Sequence, residues 1–485
     1  MDIKNITTLG ALKKSGYTSK SIKEELRSNL INNLRKDKTS YDGILGFENT
    51  VLPDLERAIL SKHNILFLGL RGQAKTRIAR LTTGLLDEYI PFIEGTELND
   101  DPFNPLSTTA QDIIAKDGDN TKIGWMHRDQ RYVEKLATPD VSIADLVGDV
   151  DPIKAASLKL PYSDPRVIHY GLIPRAHRSI FVLNELPDLQ ARIQVSLFNI
   201  LQEGDLQIRG FKLRMPLDIL FIFTANPEDY TNRGSIITPL KDRIESQILT
   251  HYPQTIEIAK QITDQEIQIT DKVKEKITIA DLHKDLLESI VFEARESEFI
   301  DEKSGVSARM SISSMENLYS AIERRILVNN EDKGTSRLSD FWGIIPSITG
   351  KVELVYEGEQ EGPYNVALHL ISGAIKKLFL EYFPHPERSI KTDEKDPYGT
   401  LRAWFGAGNQ IDLINNETQE GFIKDLMSVP GLEKLVKSRN IKHELVPTFM
   451  EFVLHGLTEF EVISKEILQH QMVFKDPLAN IFKDM

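Results

Sequence analysis

Residues Gly69–Thr76 have the sequence GLRGQAKT, which follows an apolar run and opens a helical pattern. Glycines in such a loop let backbone N–H groups surround phosphates, and the helix N-terminus adds the positive end of its dipole. Lys75 is then expected to reach the β- and γ-phosphates, and the Thr76 hydroxyl to ligate Mg²⁺. The spacing predicts a phosphate-binding loop whose nucleotide-binding residues are Gly69, Gly72, Gln73, Ala74, Lys75, Thr76 and Arg77.

Ala74 departs from the phosphate-loop pattern, which has Gly immediately before the Lys. Because a methyl group restricts the backbone, we expect somewhat weaker nucleotide binding than with Gly. Taken alone, the run is also compatible with an ordinary glycine-containing turn between a strand and a helix. The other polar positions of the chain decide between the two interpretations.

A second polar pair ends the apolar run Ile180–Glu185. Glu185 is expected to orient and polarise the attacking water. Asn184 stands where an Asp normally steers the metal together with the loop Thr. An amide keeps the oxygen acceptor but loses a charge, so we expect reduced metal affinity or turnover.

Three further polar residues follow in an order that suits ATP hydrolysis. Asn226 ends the next apolar run and is expected to hold the attacking water. Arg243, in the segment TPLKDR, is expected to act across a subunit boundary, where such an arginine is worth ~10³-fold or more in rate. Arg309, at the head of a later helix, is the predicted phosphate-sensing arginine.

Short apolar runs must position these side chains. Residues 64–69, 179–185 and 218–226 are almost uniformly apolar and alternate with amphipathic stretches. Such runs are typical of strands buried on both faces of a parallel sheet with βαβ connections. Residues 18–36 have a helical pattern with a capping signal, and residues 311–326 and 442–468 predict further helices.

The predicted fold is α/β, a phosphate-loop parallel sheet flanked by helices, followed by an all-α lid and a mainly α C-terminal region. The predicted domains are an N-terminal helical segment (1–40), the nucleotide-binding domain (41–255), the lid (256–350) and an accessory domain (351–485). An acidic, turn-rich segment at 94–125 is predicted to be an insertion at the sheet edge.

Composition narrows the functional classes. The net charge of −13 argues against nucleic acid as the main partner, because phosphate backbones need clustered Lys and Arg. The absence of cysteine excludes disulfides, thiolate metal sites and cysteine nucleophiles. No signal peptide and no apolar run long enough for a membrane span is evident, so we expect a cytoplasmic protein without a membrane partner.

The order of these elements resembles the helix-2-insert branch of the AAA+ ATPases, namely the MoxR ATPases and the ATPase subunit of magnesium chelatase. The resemblance covers about residues 40–350. Similar features are Thr138-Pro139-Asp140, Asp145-Leu146-Val147-Gly148, Gly171–Arg178 and Asn226-Pro227-Glu228. The segment 44–47 resembles the adenine-side entry of these proteins, which adds Leu45 and Gly46 to the expected nucleotide-binding residues.

The resemblance implies a homo-oligomeric ring, expected to be hexameric, with ATP and Mg²⁺ at the subunit interfaces. It also implies conformational work on a client protein, which in both groups often carries a von Willebrand factor A domain. This chain has no Asp-x-Ser-x-Ser motif, so that domain would come from another protein. Residues 194–210 resemble the insert-bearing helix and hairpin that contact partners in this branch.

Three alternatives remain open. The chain could be a magnesium chelatase ATPase subunit, whose porphyrin substrate the sequence cannot show. It could be an activator of an alternative sigma factor, since residues 197–203 (LFNILQE) are reminiscent of that group, although the GAFTGA loop is missing. It could be a nucleotide-binding scaffold with little hydrolysis, which Asn184 favours and Glu185, Asn226, Arg243 and Arg309 oppose.

Overall fold

The computed structural model describes residues 5–162, 164–203, 205–208, 211–227, 235–387, 396–414, 416–468 and 471–477. They form two compact units, with the division between His251 and Tyr252. The first unit is α/β and the second is mainly helical.

A five-stranded sheet forms the centre of the first unit. Its strands are β1 (Ile65–Leu68), β2 (Tyr132–Leu136), β3 (Ser179–Asn184), β4 (Ile219–Ala225) and β5 (Ser246–Leu249). Their order across the sheet is β5-β1-β4-β3-β2, and every neighbouring pair is parallel. All carboxyl ends therefore lie along one edge, as predicted from the three apolar runs.

The two faces of this sheet carry different apolar cores, which explains why its central strands are apolar throughout. Along β3, Ile180 and Val182 belong to one buried cluster, whereas Phe181 and Leu183 belong to another. Successive side chains of a strand point to opposite faces, so a strand covered on both sides needs an unbroken apolar sequence. The prediction of a sheet covered on both faces is confirmed.

The first unit's α-helices cover the sheet and connect its strands. The predicted helix at 18–36 is present as Ile22–Arg35, and the side chain of Ser21 accepts a hydrogen bond from Glu24 N at 3.3 Å. Glu25 in this helix forms a buried bidentate ion pair with Arg131 just before β2, with both N–O distances 2.7 Å. The α-helices are Leu9–Lys14, Ile22–Arg35, Val51–Leu60, Lys75–Leu81, Thr108–Asp117, Ile143–Leu146, Pro152–Leu158, Leu172–Arg175, Ala191–Glu203 and Thr238–Lys241.

Three antiparallel strand pairs of the first unit lie outside the central sheet. Tyr89–Ile93 pairs with Ile123–His127. The segment 94–125 therefore begins directly after the first strand of this pair and ends within the second, and the pair is separate from the central sheet. Gly148–Val150 pairs with Ile168–Tyr170. After the helix Ala191–Glu203, Asp205–Ile208 pairs with Phe211–Arg214, which gives the segment 194–210 a helix and the first strand of a hairpin.

The second unit has one large apolar core that runs from Ile277 to Phe474. The predicted helix at 311–326 is confirmed as part of Arg309–Val328. The α-helices of this unit are Ile256–Glu266, Asp271–Lys274, Asp281–Glu296, Arg309–Val328, Ile345–Thr349, Tyr356–Glu361, Pro363–Tyr382, Gly399–Gly406, Gln419–Met427, Leu432–Lys437 and Val446–Glu459.

The prediction of a helical segment over 442–468 was wrong at its end. The helix runs only over Val446–Glu459, and Ser464–Leu468 is a strand that pairs with Gln471–Lys475, which in turn pairs with Ile411–Ile414. Glu461 has a left-handed backbone with φ 55°, which cannot continue a right-handed helix. Elsewhere in the unit, Ile277–Thr278 pairs in parallel with Gly334–Thr335. No helix in the described part of the chain is long and apolar enough to span a bilayer.

Candidate nucleotide site

The predicted phosphate loop connects the end of β1 to the helix Lys75–Leu81. Gly69 begins it, and a Cβ there would overlap the side-chain oxygens of Thr250 and Gln73. Gly72 has a left-handed backbone with φ 74°, which glycine adopts without a steric penalty. Both glycines are therefore required by the course of the loop.

Ala74 has φ 54° and ψ 14°, the left-handed conformation that the motif's usual Gly would accommodate. For a residue with a Cβ this conformation costs roughly 1–2 kcal/mol. The departure noted in the sequence thus falls on a backbone position where its cost is real, immediately before Lys75.

The side chain of Lys75 is 8% exposed, and its ammonium group bridges the loop and the next strand. Nζ donates to Leu70 O at 2.9 Å, to Asn226 Oδ1 at 2.8 Å and to Gly69 O. Asn226 Nδ2 in turn donates to Glu185 Oε2 at 3.1 Å. The structure therefore links Lys75, Asn226 and Glu185, predicted separately, into one hydrogen-bonded chain across the ends of β1, β4 and β3.

Glu185 immediately follows β3 and has a left-handed backbone with φ 56° and ψ 50°. Its N–H donates to Thr224 Oγ1 at 3.2 Å. Such strain on a residue other than glycine persists only where the surroundings enforce it, and it is frequent at functional sites. The sharp turn at Glu185 coincides with the point where its carboxylate contacts Asn226.

Thr76 and Asn184 present oxygen atoms to one another at the same sheet edge. Thr76 Oγ1 donates to Asn184 Oδ1 at 3.4 Å, and Thr224 Oγ1 donates to the same oxygen at 3.1 Å. A hydroxyl and an amide oxygen suit Mg²⁺, which takes oxygen ligands and completes its octahedron with phosphates and water. The donor set at Thr76 and Asn184 therefore fits the predicted metal.

Glu134, in β2, belongs to this site although the sequence analysis did not identify it. Its Oε1 accepts from Asn184 Nδ2 at 2.7 Å, and its Oε2 accepts from Arg80 at 2.8 Å and from Tyr132 Oη at 3.0 Å. The hydrogen bond to Glu134 raises the pKa of Arg80. Burial, followed by the charge of Glu134, raises the pKa of Tyr132. A carboxylate in the strand YVEKL was the available signal, but the search for uniformly apolar runs passed over this mixed strand.

Thr250, directly after β5, is a second residue that the sequence analysis missed. Its hydroxyl donates to Gln73 Oε1 at 2.6 Å and so joins the phosphate loop to the end of β5. The next residue, His251, lies edge-on to Phe47 with ring centroids 4.9 Å apart, and its Nε2 is 2.8 Å from Thr50 Oγ1.

The segment 44–47, predicted to lie at the adenine side, packs into the core beneath the phosphate-loop helix. Ile44 and Phe47 share a buried cluster with Ile78 and Ala79 of that helix. Leu45 is half-buried, and Gly46 has φ 80° and donates its N–H to Glu48 Oε1 at 3.0 Å. The structure thus brings this segment to the same helix as Lys75, while its contact with nucleotide stays a prediction.

The predicted arginines lie outside the Lys75–Asn226–Glu185 chain. Arg243 packs on the helix Ala191–Glu203, with Nε donating to Gln202 Oε1 at 3.2 Å and its guanidinium 5.5 Å from the Phe198 ring centroid. Arg309 begins a helix of the second unit and donates its N–H to Ser307 Oγ at 3.2 Å.

The remaining predicted positions have simpler outcomes. Arg77 is exposed in the first turn of the phosphate-loop helix. Glu228, from the similar feature Asn226-Pro227-Glu228, lies outside the described residues, as do Gly204, Arg209 and Gly210 of the segment 194–210.

Comparison with known proteins gives two matches, each over part of the chain. Residues 161–248 match the family model described as the Sigma-54 interaction domain. A curated relative, the magnesium-chelatase subunit ChlI homolog of Methanocaldococcus jannaschii, is 23% identical over 203 residues, which are 41% of this chain and 52% of the relative. The chain thus spans about half the length of the curated relative that it matches.

Two solved structures are similar to this chain at sequence identities below 20%. NtrX from Brucella abortus in complex with ATP is 15% identical, with 60% of this chain and 53% of that one covered and a TM-score of 0.35. The complex between subunits BchI and BchD of magnesium chelatase is 18% identical, with 66% and 98% covered and a TM-score of 0.34.

The parallel sheet, the loop after β1 and the polar ends of β3 and β4 have the arrangement expected of a phosphate-loop nucleotide site. The chain is thus similar over residues 161–248 to the Sigma-54 interaction domain and over 203 residues to a magnesium-chelatase subunit ChlI homolog. Each match covers less than half of the chain, and the two carry different descriptions.

Proposed function

We propose that the chain binds and hydrolyses ATP with Mg²⁺ and uses the cycle to remodel, assemble or activate a partner protein, in the manner of a MoxR-like AAA+ ATPase. The hydrogen-bonded chain from Lys75 through Asn226 to Glu185 is the main observation in support. It connects a phosphate-binding cation to a carboxylate base through the amide that would hold the attacking water.

The residues would divide the chemistry as follows. Lys75 binds the β- and γ-phosphates, and backbone N–H groups of the loop surround them. Thr76 and Asn184 hold Mg²⁺, which neutralises charge on the phosphate oxygens when it is bound. Glu185 takes the proton of the attacking water, and Asn226 fixes the position of both that water and the Glu185 carboxylate.

Arg243 is proposed to complete the site of a neighbouring copy in a homo-oligomeric ring, which we propose to be a hexamer. Its side chain is 38% exposed, lies two residues after the short helix Thr238–Lys241 and donates to the Asp242 carboxylate. Arg309 is proposed to couple the nucleotide to the helical lid, whose rotation would transmit the cycle to a client. The helix Ala191–Glu203 and the hairpin after it are the proposed contact for that client, for which a protein with a von Willebrand factor A domain is our candidate.

The first test is ATP hydrolysis by purified protein with Mg²⁺ over a range of protein concentrations. Turnover per subunit should rise with concentration and fall to background in Lys75→Ala and Glu185→Gln. Lys14→Ala, which removes an exposed lysine of the first helix, is the matched control and should retain activity. Turnover unchanged by Lys75→Ala would contradict the proposal.

Mixing two inactive variants tests whether the site is shared. Arg243→Ala and Glu185→Gln should each lack activity alone, because one lacks the donated arginine and the other the base. In a mixed oligomer, some interfaces combine an intact Glu185 with an intact Arg243 from the neighbour, so partial activity should return. No recovery from mixtures that form oligomers would argue against a role for Arg243 in trans.

The similarity to the ChlI homolog favours a second candidate, the ATPase subunit of a complex that inserts Mg²⁺ into a porphyrin. Stimulation of hydrolysis by added chelatase partner subunits, together with metal insertion, would support it. A scaffold with little hydrolysis is a third candidate, suggested by Asn184. It predicts tight ATP binding with no turnover and no change on Glu185→Gln.

A further inference from the structure

The metal side of the site has an apparent deficit of charge, because Asn184 stands where a carboxylate is expected. We propose that Glu134 is a positioning residue that corrects this deficit: it fixes the Asn184 amide with its oxygen toward Thr76 and supplies, from strand β2, the negative charge that Asn184 lacks. The inference rests on the proposed Mg²⁺-dependent ATP site and concerns how that site holds its metal.

The orientation of the Asn184 amide follows from what its neighbours can donate. An ionised carboxylate only accepts hydrogen bonds, so the Asn184 Nδ2 group must face Glu134 Oε1 at 2.7 Å. The amide oxygen then faces the hydroxyls of Thr224 at 3.1 Å and Thr76 at 3.4 Å. Because Asn184 is only 8% exposed, water offers few competing partners. Glu134 thereby directs an oxygen ligand toward the predicted metal position.

The sheet register places Glu134 beside Asn184. Strands β2 and β3 are parallel, with Leu136 paired to Asn184 and Glu134 paired to Val182. Residues two apart in a strand share a face, so Glu134 and Asn184 project from the same face of neighbouring strands. The contact therefore depends on backbone pairing rather than on a loop.

Glu134 is also held from its other side. Its Oε2 accepts from Arg80 at 2.8 Å and from Tyr132 Oη at 3.0 Å, which leaves Oε1 directed at Asn184. Arg80 is exposed, so water and salt screen its charge more than that of the half-buried Glu134. The site thus retains a negative charge one hydrogen bond away from the amide that faces Thr76.

This arrangement also explains why position 184 is Asn. An Asp there would place two carboxylates within hydrogen-bond distance, and one of them would have to hold a proton. A Glu–Asn pair carries the same single negative charge as a Gln–Asp pair. In the Glu–Asn pair the charge lies on β2 instead of β3, and the residue on β3 donates the connecting hydrogen bond, whereas in a Gln–Asp pair the residue on β2 would donate it.

The test measures the affinity of a fluorescent ATP analogue as Mg²⁺ is raised from zero, in EDTA, to millimolar concentrations. Glu134→Gln keeps an acceptor but removes the charge, so the Mg²⁺ concentration for half-maximal enhancement should rise ~10-fold, within the range typical of residues behind a metal ligand. Glu134→Leu also frees the amide and should have a larger effect. Affinity in EDTA should be unchanged in both.

The double variant Glu134→Gln/Asn184→Asp restores one charge and one hydrogen bond, so its Mg²⁺ response should return to within ~3-fold of the wild type. Lys135→Gln, which also changes the charge by one on the same strand but on the other face, is the matched control and should behave as the wild type. Thermal melting of each variant checks that it is folded.

The possible failures can be distinguished. A folded Glu134→Gln variant with the wild-type Mg²⁺ response would overturn the role of Glu134 and leave the proposed ATPase function standing. A double variant no better than Glu134→Gln alone would overturn the exchange of charge between the two strands. A wild-type protein whose nucleotide affinity ignores Mg²⁺ would overturn the metal site itself, and the inference with it.

Discussion

Buried polar side chains serve different purposes in the two units. In the first unit, Lys75, Asn184 and Asn226 are nine-tenths or more buried and meet where parallel strands end, around a loop with the course of a phosphate site. In the second unit, Arg325, Asp340 and Glu451 are also more than nine-tenths buried. There, Arg325 pairs with Asp340, and Glu451 accepts hydrogen bonds from the backbone beside Asp340. Burial of charge therefore identifies a functional site only where the surrounding backbone offers a place for a ligand.

The polar cluster of the second unit stabilises one short 3₁₀ helix, Leu338–Ile344. Asp340 accepts from Arg325 through both carboxylate oxygens at 3.0 Å. Glu451 accepts from the backbone N–H groups of Leu338 at 2.6 Å and Ser339 at 3.0 Å. These carboxylates compensate the helix-start N–H groups and a buried guanidinium, which is a structural role.

The largest effect that separates the two units should come from Arg325→Met. It leaves the Asp340 carboxylate buried without its cation, so the free energy of unfolding of the second unit should fall by about 3–5 kcal/mol. Urea unfolding followed by tryptophan fluorescence measures it. A Trp125→Phe background confines the signal to Trp342 and Trp404, since the chain has three tryptophans.

Two comparisons give this prediction its controls. Lys377→Met breaks the ion pairs of Lys377 with Glu293 and Glu296, and because the Lys377 side chain is 62% exposed, the loss should be less than about 1 kcal/mol. Asn226→Ala in the first unit should abolish hydrolysis while leaving the unfolding of the second unit unchanged. Equal losses for Arg325→Met and Lys377→Met would show that burial of the pair has no consequence.

A smaller effect should appear in the pH dependence of the second unit. Burial raises the pKa of Glu451 to about 7, whereas the unfolded chain should have a value near ~4.3. The folded state therefore holds a proton that the unfolded state has lost between these values. The resulting stabilisation is complete below ~4.3 and disappears as pH rises through about 7, a change of roughly 4 kcal/mol.

Glu451→Gln should remove this part of the pH dependence, because the amide does not titrate. The free energy of unfolding of each protein is measured in urea at pH 5, 6, 7 and 8 by the same fluorescence signal. The value of the wild type minus that of the variant should decrease as pH rises. Other titrating groups cancel in that difference. Parallel pH profiles would mean that Glu451 does not carry the linked proton.

In the first unit, the sequence predicted the central strands but not every residue of the site. The apolar runs that became β3 and β4 are buried on both faces, so their composition alone predicted strands and the positions of Asn184 and Asn226. The sequence did not indicate Glu134, because β2 is the last strand of the sheet and two of its five residues, Glu134 and Lys135, are charged, which weakens the apolar signal. Its contact with Asn184 depends on the register of two strands about 50 residues apart in the chain.

In the second unit, the helical pattern over 311–326 predicted a helix correctly, but the pattern over 442–468 did not reveal the strand Ser464–Leu468. That strand exists because Gln471–Lys475 pairs with it and is itself paired to Ile411–Ile414, and no local pattern records such a partner. The polar cluster around Arg325 was equally hidden, since a charged residue within a helical pattern is ordinarily assigned to the exposed face.

Backbone strain extends the comparison between the two units. In the second unit, residues other than glycine with a positive φ are Asn330, Asn440 and Glu461 among those described, and each follows the end of a helix, where a left-handed residue is a common cap. In the first unit, Asp37, Lys62 and Lys159 likewise follow helices, and Asn99 and Arg178 lie in connecting segments. Ala74, by contrast, precedes a helix, and Glu185 follows a strand. These last two positions flank the proposed nucleotide site, where backbone strain is frequent.

The smallest effect, and the most specific to the first unit, should come from Ala74→Gly. Relief of the left-handed strain gains roughly 1–2 kcal/mol, and the greater freedom of glycine in the unfolded chain offsets about 0.4–1 kcal/mol of it. A net stabilisation of roughly 0.5 kcal/mol should appear as a rise in melting temperature. Ala79 lies within the helix that follows Ala74, Lys75–Leu81. Ala79→Gly should therefore lower the free energy of unfolding, by about 1 kcal/mol. If both variants lowered the melting temperature, the left-handed position of Ala74 would not be a source of strain.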